Sequence, residues 1–273
     1  TIWLLQTTTF QNTSFGDTEG LGLLEDTELS SLDKHTWSIH FYQTWVHPAL
    51  PCSDWDAIEN MLRIHLQQFS HLINEVAMQR DVPHPMVIQI RGGCVLYPNS
   101  TSWGFLDVGE SGKDLIAFEV YKQQWETRQS SQLAELFKTV LNRQRSITML
   151  LEQLLSTVCQ SQILTLNRYG RATLGRQEVP VATVFTRMPS LHQLLLVCHV
   201  TGFYPRPISV AWLRDGHKVP PGPALNTSTT LPNADLTYQL RSILAVAPRD
   251  GHSYACRVHH RSLGTRSLLI PWG

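Results

Sequence analysis

The residues of this 273-residue sequence best able to do chemistry are five cysteines, twelve histidines and three N-x-[ST] sequons. Cys52, Cys94, Cys159, Cys198 and Cys256 include no C-x-x-C pair, and no histidines cluster at metal-ligand spacing. Zinc therefore finds no framework, and disulfides are the expected cysteine chemistry. The sequons at Asn12, Asn99 and Asn226 point the same way, toward a secreted or cell-surface route through an oxidising compartment. No G-x-S-x-G, H-E-x-x-H, P-loop or dinucleotide fingerprint occurs, and His65 and His71 have no partners that the sequence can place beside them. Catalysis, lipid hydrolysis included, is not expected, nor is a metal or cofactor.

Charge and hydropathy narrow the field further. The 22 basic and 22 acidic residues cancel, so no broad positive field recruits nucleic acid. Charged residues make up 16% of the chain against a usual value of about 25%, which leaves surface for a partner to cover. The densest apolar run, LLLVC at 194–198, is far shorter than the roughly 18 residues of a membrane helix. The chain opens directly in the strand-like TIWLLQTTTF, so the expected form is a processed secreted protein or ectodomain.

Two kinds of element must position these residues. From about residue 180 onward, LHQLLLVCHV, ISVAWLRDG, TYQLRSILAV and HSYACRVHH alternate with Pro, Gly, Asn and Asp clusters at the spacing of a β-sandwich. Cys198 and Cys256 stand 58 residues apart with Trp212 between them, and Tyr254 lies two residues before the second cysteine, the immunoglobulin pattern with its tyrosine corner. The earlier part repeats a strands-then-helix order. Strands up to about residue 50 lead to Ser53, an expected N-cap with Asp54 and Asp56 in the first turn. Trp55, Ile58, Leu62, Leu66, Phe69, Ile73 and Val76 then form one stripe on a helix that Pro83 and Pro85 end. The second cycle runs through MVIQIRGGCVLY, FLDV and DLIAFEVY to a stripe of Leu133, Phe137, Val140, Ile147, Leu151, Leu154 and Val158 on another long helix. A bridge between Cys94 in its first strand and Cys159 in its helix would pin helix to sheet. By the chain-entropy account that bridge contributes about 4 kcal/mol. Cys52 is left over, expected as a buried, reduced thiol rather than a nucleophile.

CHVTGFYPRPISVAWLRDG, LPNAD and YACRVHHRSLG resemble the membrane-proximal immunoglobulin domain of MHC class I-like proteins, in the wording of the cluster-of-differentiation-one lipid-presenting group. LLQTTTFQNTSF, the HTW segment, SDWDAIENMLRIHLQQF, GGCVLYP with GKDLIAF, and VLNRQRS resemble that group's groove domains, so the resemblance covers nearly the entire chain. It implies an α+β fold: an antiparallel sheet carrying two long helices, its halves at 1–82 and 83–178, followed by an all-β immunoglobulin constant-type sandwich at 179–273. Ligand would lie between the helices. With Cys94 pointing up, Met86, Ile88 and Ile90 share its face, while Gln89 and Arg91 point down. Leu4, Gln6, Thr8 and Phe10 share a face of the first strand, and Gly22 would leave space for ligand to descend beside Leu24. Both helix stripes, with Leu72, complete a groove suited to acyl chains, which bind by losing apolar area to water at about 25 cal/mol per Å².

One departure stands out. Relatives that present glycosphingolipids hold headgroup hydroxyls with an acidic residue on the first helix and a hydroxyl residue on the facing helix, and the matching positions here are Leu72 and Ile147. A more hydrophobic ligand, or one held by its tails, is implied. Gln68, His71, Arg143 and Arg145 would face a T-cell receptor, beta-2-microglobulin would be the non-covalent partner, and the twelve histidines would loosen helix contacts on acidification. The implied setting is the extracellular or lumenal side of the cell surface and endosome, with a membrane anchor C-terminal to this sequence. A peptide presenter or an immunoglobulin-transport receptor is the alternative within the fold.

Overall fold

The computed structural model describes residues 1–11, 16–80 and 83–273, so the Asn12 sequon lies outside the described residues. Two compact units follow one another along the chain, Thr1–Arg171 and Ala172–Gly273.

In the first unit, β1 (Ile2–Phe10), β2 (Gly16–Leu24), β3 (Thr27–Leu32) and β4 (Ile39–Phe41) precede α1 (Cys52–Arg80). β5 (Met86–Leu96), β6 (Ser102–Glu110), β7 (Lys113–Glu119) and β8 (Gln124–Thr127) precede α2 (Gln132–Asn142), α3 (Arg145–Gln153), a π-helical turn (Leu154–Val158) and α4 (Cys159–Tyr169), and the short α5 (Arg171–Leu174) runs from the last residue of this unit into the next. The strands make one antiparallel sheet in the order β4-β3-β2-β1-β5-β6-β7-β8, so the two sequence halves meet at β1 and β5. Along β5 the alternation is as the sequence implies: Met86, Ile88 and Cys94 are buried on one face, and Gln89 and Arg91 are exposed on the other.

Three local expectations are corrected. Ser53 does not cap α1; the helix starts one residue earlier, where the Pro51 carbonyl accepts from the Asp54 and Trp55 amides, and the Ser53 hydroxyl donates to Asp54 instead. Cys52 is therefore a first-turn residue that faces outward, exposed rather than buried. The second helix is not continuous. Asn142 ends α2 by turning its side chain onto β8, accepting from the Trp125 amide at 2.8 Å and donating to the Trp125 carbonyl at 3.0 Å, a competition that short amide side chains offer the helical ladder.

The disulfide Cys94–Cys159 ties β5 to the start of α4, with Cα atoms 6.1 Å apart. Beside it the π-helical turn settles on β6 at Gly104, where a Cβ would stand 2.6 Å from the Leu155 carbonyl oxygen and 2.9 Å from the Leu155 Cβ. Only glycine admits that approach.

The second unit holds β9 (Val181–Ser190), β10 (Gln193–Phe203), β11 (Ser209–Arg214), β12 (His217–Lys218), β13 (Leu225–Thr227), β14 (Leu231–Pro232), β15 (Tyr238–Val246), β16 (Tyr254–His259) and β17 (Leu268–Trp272). β13-β15-β10-β9, with β14 on β15, forms one sheet and β12-β11-β16-β17 the other. Cys198–Cys256 joins β10 to β16 across the sandwich, and the fully buried Trp212 donates its indole N–H to the Ser242 carbonyl. Tyr254 donates its hydroxyl to Asp250 at 2.6 Å; burial and that carboxylate push the phenol up to about 12.

Replacing Gly104 with valine should force the Leu155 turn off the sheet and cost about 1–3 kcal/mol. Calorimetry should show the first unit's midpoint lowered by about 2–4 °C per kcal/mol, with the second unit's transition unmoved; an unchanged first transition would contradict this packing.

Candidate ligand groove

The upper, helix-bearing face of the sheet reads as rows running across the strands. One row is Leu24, Ile2, Cys94 and Gly104; the next is Gly22, Leu4, Gly92 and Leu106; the third is Gly20, Gln6, Ile90 and Val108. Leu4 thus has a glycine on each side; the Ser30 hydroxyl lies beside the Gly22 position and the Leu106 side chain beside the Gly92 position. Leu4 remains 58% exposed on the face that should be the unit's interior. An apolar side chain left open at the centre of an eight-stranded sheet is the feature that needs explaining.

Helix α1 supplies one wall above it. Leu66 and Ile73 pack down onto the sheet, and Met61, His65, Phe69 and Leu72 recur at helical steps one position to the side of that stripe. Met61 is 41% exposed and Phe69 half-buried. On the second-half helices, Val140, Leu151 and Leu154 are half-buried and Ile147 is exposed.

A chain of polar groups crosses the floor beside Leu4. The Gln6 side-chain amide donates to the Thr8 hydroxyl at 3.1 Å, and Thr8 shares a 2.9 Å hydrogen bond with Thr18 on β2. That orientation turns the Gln6 carbonyl oxygen toward His65, whose Nε2 lies 3.2 Å away and therefore donates. The His65 ring stacks on Phe69 at 5.8 Å between centroids. It keeps surface open to the trench yet is crowded by protein, and the resulting desolvation holds its imidazole below the ordinary histidine range.

At the other end of the trench the space is filled. Phe10, Ile73, Val76, Met86, Ile88 and Phe137 are each at most 3% exposed and belong to one packed core with Leu115, Ile116 and Trp125. There α1 and α2 approach to within 8 Å between Cα atoms.

The expected groove residues therefore separate into two sets. Leu4 and Ile147 are open, and Gln6, Leu62, Phe69, Leu72, Ile90, Leu133, Val140, Leu151 and Leu154 are half-buried. Thr8, Phe10, Leu24, Leu66, Ile73, Val76, Met86, Ile88 and Phe137 are packed away. Gly22 opens no descent beside Leu24: a Cβ there would meet the Ser30 hydroxyl at 2.8 Å, so the glycine makes room for Ser30. Met61 and Leu106 were missing from the expected set, although Met61 is legible as the residue four before His65. At the departure noted above, Leu72 packs against the core, and the hydroxyl of buried Thr148, next to Ile147, is spent on the Arg145 carbonyl.

The comparisons with known proteins agree with this architecture. Residues 1–173 match the MHC-I family domain and residues 182–263 the immunoglobulin C1-set domain. T-cell surface glycoprotein CD1e of Homo sapiens is 32% identical over 99% of this chain and 68% of that protein. Antigen-presenting glycoprotein CD1d of Ovis aries is 30% identical over 98% of this chain and 79% of that protein. The chain belongs to the CD1 family of antigen-presenting glycoproteins. Among solved CD1 structures, chicken CD1-1 superposes with a TM-score of 0.92 at 44% identity, covering 100% of this chain and 99% of that one. Chicken CD1-2 with bound fatty acid superposes with a TM-score of 0.91 at 42% identity, covering 100% and 98%. Within the CD1 fold, the His65–Gln6 contact joins the α1 wall to the floor of the groove.

His65 generates a prediction with a definite sign. Its folded pKa lies below the unfolded value of about 6.5, so its neutral form stabilises the fold above that pH, and the contribution is lost as pH falls through and below it. Between pH 7.5 and 5.0 the first unit should lose more thermal stability than its His65→Gln variant does; identical losses would refute the assignment.

Proposed function

We propose that this chain is an antigen-presenting ectodomain that holds the acyl chain of a lipid in the groove and displays it to T-cell receptors. The observation that carries the reading is Leu4: an open apolar floor residue, next on its face of β1 to the Gln6 that His65 of α1 contacts, gains free energy when an alkyl chain displaces water from it. The fatty acid bound by chicken CD1-2, whose fold this chain shares along its whole length, supports the same reading. Two classes of residue would then carry the interaction. The apolar floor and walls hold the tail, and the exposed Gln68 and His71 on α1, with Arg143 and Arg145 at the break between α2 and α3, offer hydrogen bonds and charge to a receptor. The protein acts in this reading by binding, without turnover.

The lower face of the sheet supports beta-2-microglobulin as the non-covalent partner. Leu5 and Leu21 stand opposite one another in register and are 36% and 38% exposed, and Trp103 is 53% exposed, an apolar patch of the kind that partners cover. Exposed Asn99 and Asn226 suit glycosylation on the route to the cell surface and endosome. Among the described residues no helix is long and apolar enough to cross a membrane.

Protein co-expressed with beta-2-microglobulin and purified without detergent should release lipid in about equimolar amount into organic solvent, identified by mass spectrometry. Acid elution of defined peptides with no stoichiometric lipid would replace this reading with peptide presentation.

A further inference from the structure

The two ends of the groove differ in a way that limits what can enter. Over Leu4 the floor is open: the residue is 58% exposed, and its row neighbours Gly22 and Gly92 make room for Ser30 and Leu106 without covering it. Beyond Gln6 the same trench is occupied by the protein itself: Phe10 and Ile88 are fully buried, Met86 is 2% exposed, and Phe137 reaches in from α2 at 3%. These side chains share one core with β7 and β8 residues, so withdrawing any of them to admit ligand would leave unfilled space next to Leu115 and Trp125. Between the two regions stands the hydrogen-bonded pair His65–Gln6, which joins α1 to the floor and which an alkyl chain could part only by stranding a donor and an acceptor.

Resting on the lipid-binding reading above, we propose that this groove accepts a single-chain lipid, one acyl tail lying over Leu4 and ending at the His65–Gln6 pair, and excludes lipids with two full-length tails. A two-tailed lipid needs a second apolar compartment, and the place for it is filled by Phe10, Ile88 and Phe137. The class includes both free fatty acids and lysophospholipids, since each offers one tail.

The test uses the complex with beta-2-microglobulin, stripped of endogenous lipid and offered palmitic acid, lysophosphatidylcholine and dipalmitoyl phosphatidylcholine in separate arms read by native mass spectrometry. One or both single-tailed probes should bind at one per complex, the arms showing which source is preferred, while the two-tailed probe binds at least about tenfold more weakly. Leu4→Trp, a change at an open position that fills the tail compartment, should weaken the single-tailed probes by about tenfold or more while leaving the thermal midpoint of the lipid-free protein unchanged. Stoichiometric binding of dipalmitoyl phosphatidylcholine by the unaltered protein, or single-tail binding indifferent to Leu4→Trp, would overturn the single-chain proposal while leaving lipid binding intact. Failure of all three probes would instead remove lipid binding itself, and the single-chain proposal with it.

Discussion

How closely the helices can stand to the sheet governs everything above it. At Gly104 the backbone of the π-helical turn reaches a distance that no β-carbon would permit, and the neighbouring Cys94–Cys159 bridge holds that segment in place. At the α2 end, Phe137 fills the interval between helix and sheet with its own ring, so the helix is seated by packing. Over Leu4 neither device operates. The contacts that seat these segments lie elsewhere, and Leu4 stays 58% exposed. A rigid platform with an unfilled middle is the consequence, and an unfilled apolar middle is what a lipid tail can complete.

The polar chain His65–Gln6–Thr8–Thr18 gives the open region a boundary as well as a floor. Apolar contacts are tolerant of chain length and register because they have no direction. A fixed hydrogen-bonded pair is not, since an alkyl chain that parted it would strand a donor and an acceptor. The groove therefore combines a permissive surface with one place where ligand chemistry matters.

Much of this was legible in the sequence. The order Cys198, Trp212, Tyr254, Cys256 identified the sandwich because few folds need a buried tryptophan against an inter-sheet bridge, and alternation along 86–94 assigned the faces of β5 correctly. What periodicity cannot supply is the distance to the opposing element. Phe10 and Leu4 lie on the same face of the same strand, yet one is fully buried and the other 58% exposed, because α1 and α2 close over the first and glycines flank the second. The break after Asn142 was hidden for a related reason: the apolar stripe runs straight through it, and only the side-chain grip on Trp125 reveals the stop. Ser53 was a plausible cap by residue type, but the helix had already begun from the Pro51 carbonyl.

The central claim is that the first unit carries an apolar compartment that ligand fills and that the second unit does not share. Two-transition calorimetry of the lipid-stripped complex, with and without palmitic acid at about a hundred times its dissociation constant, tests it most directly. Ligand bound only to the folded platform adds about 2.7 kcal/mol, so the transition of Thr1–Arg171 should rise by about 5–10 °C while that of Ala172–Gly273 stays where it was. A platform transition that does not move, or an equal shift in both units, would contradict the account.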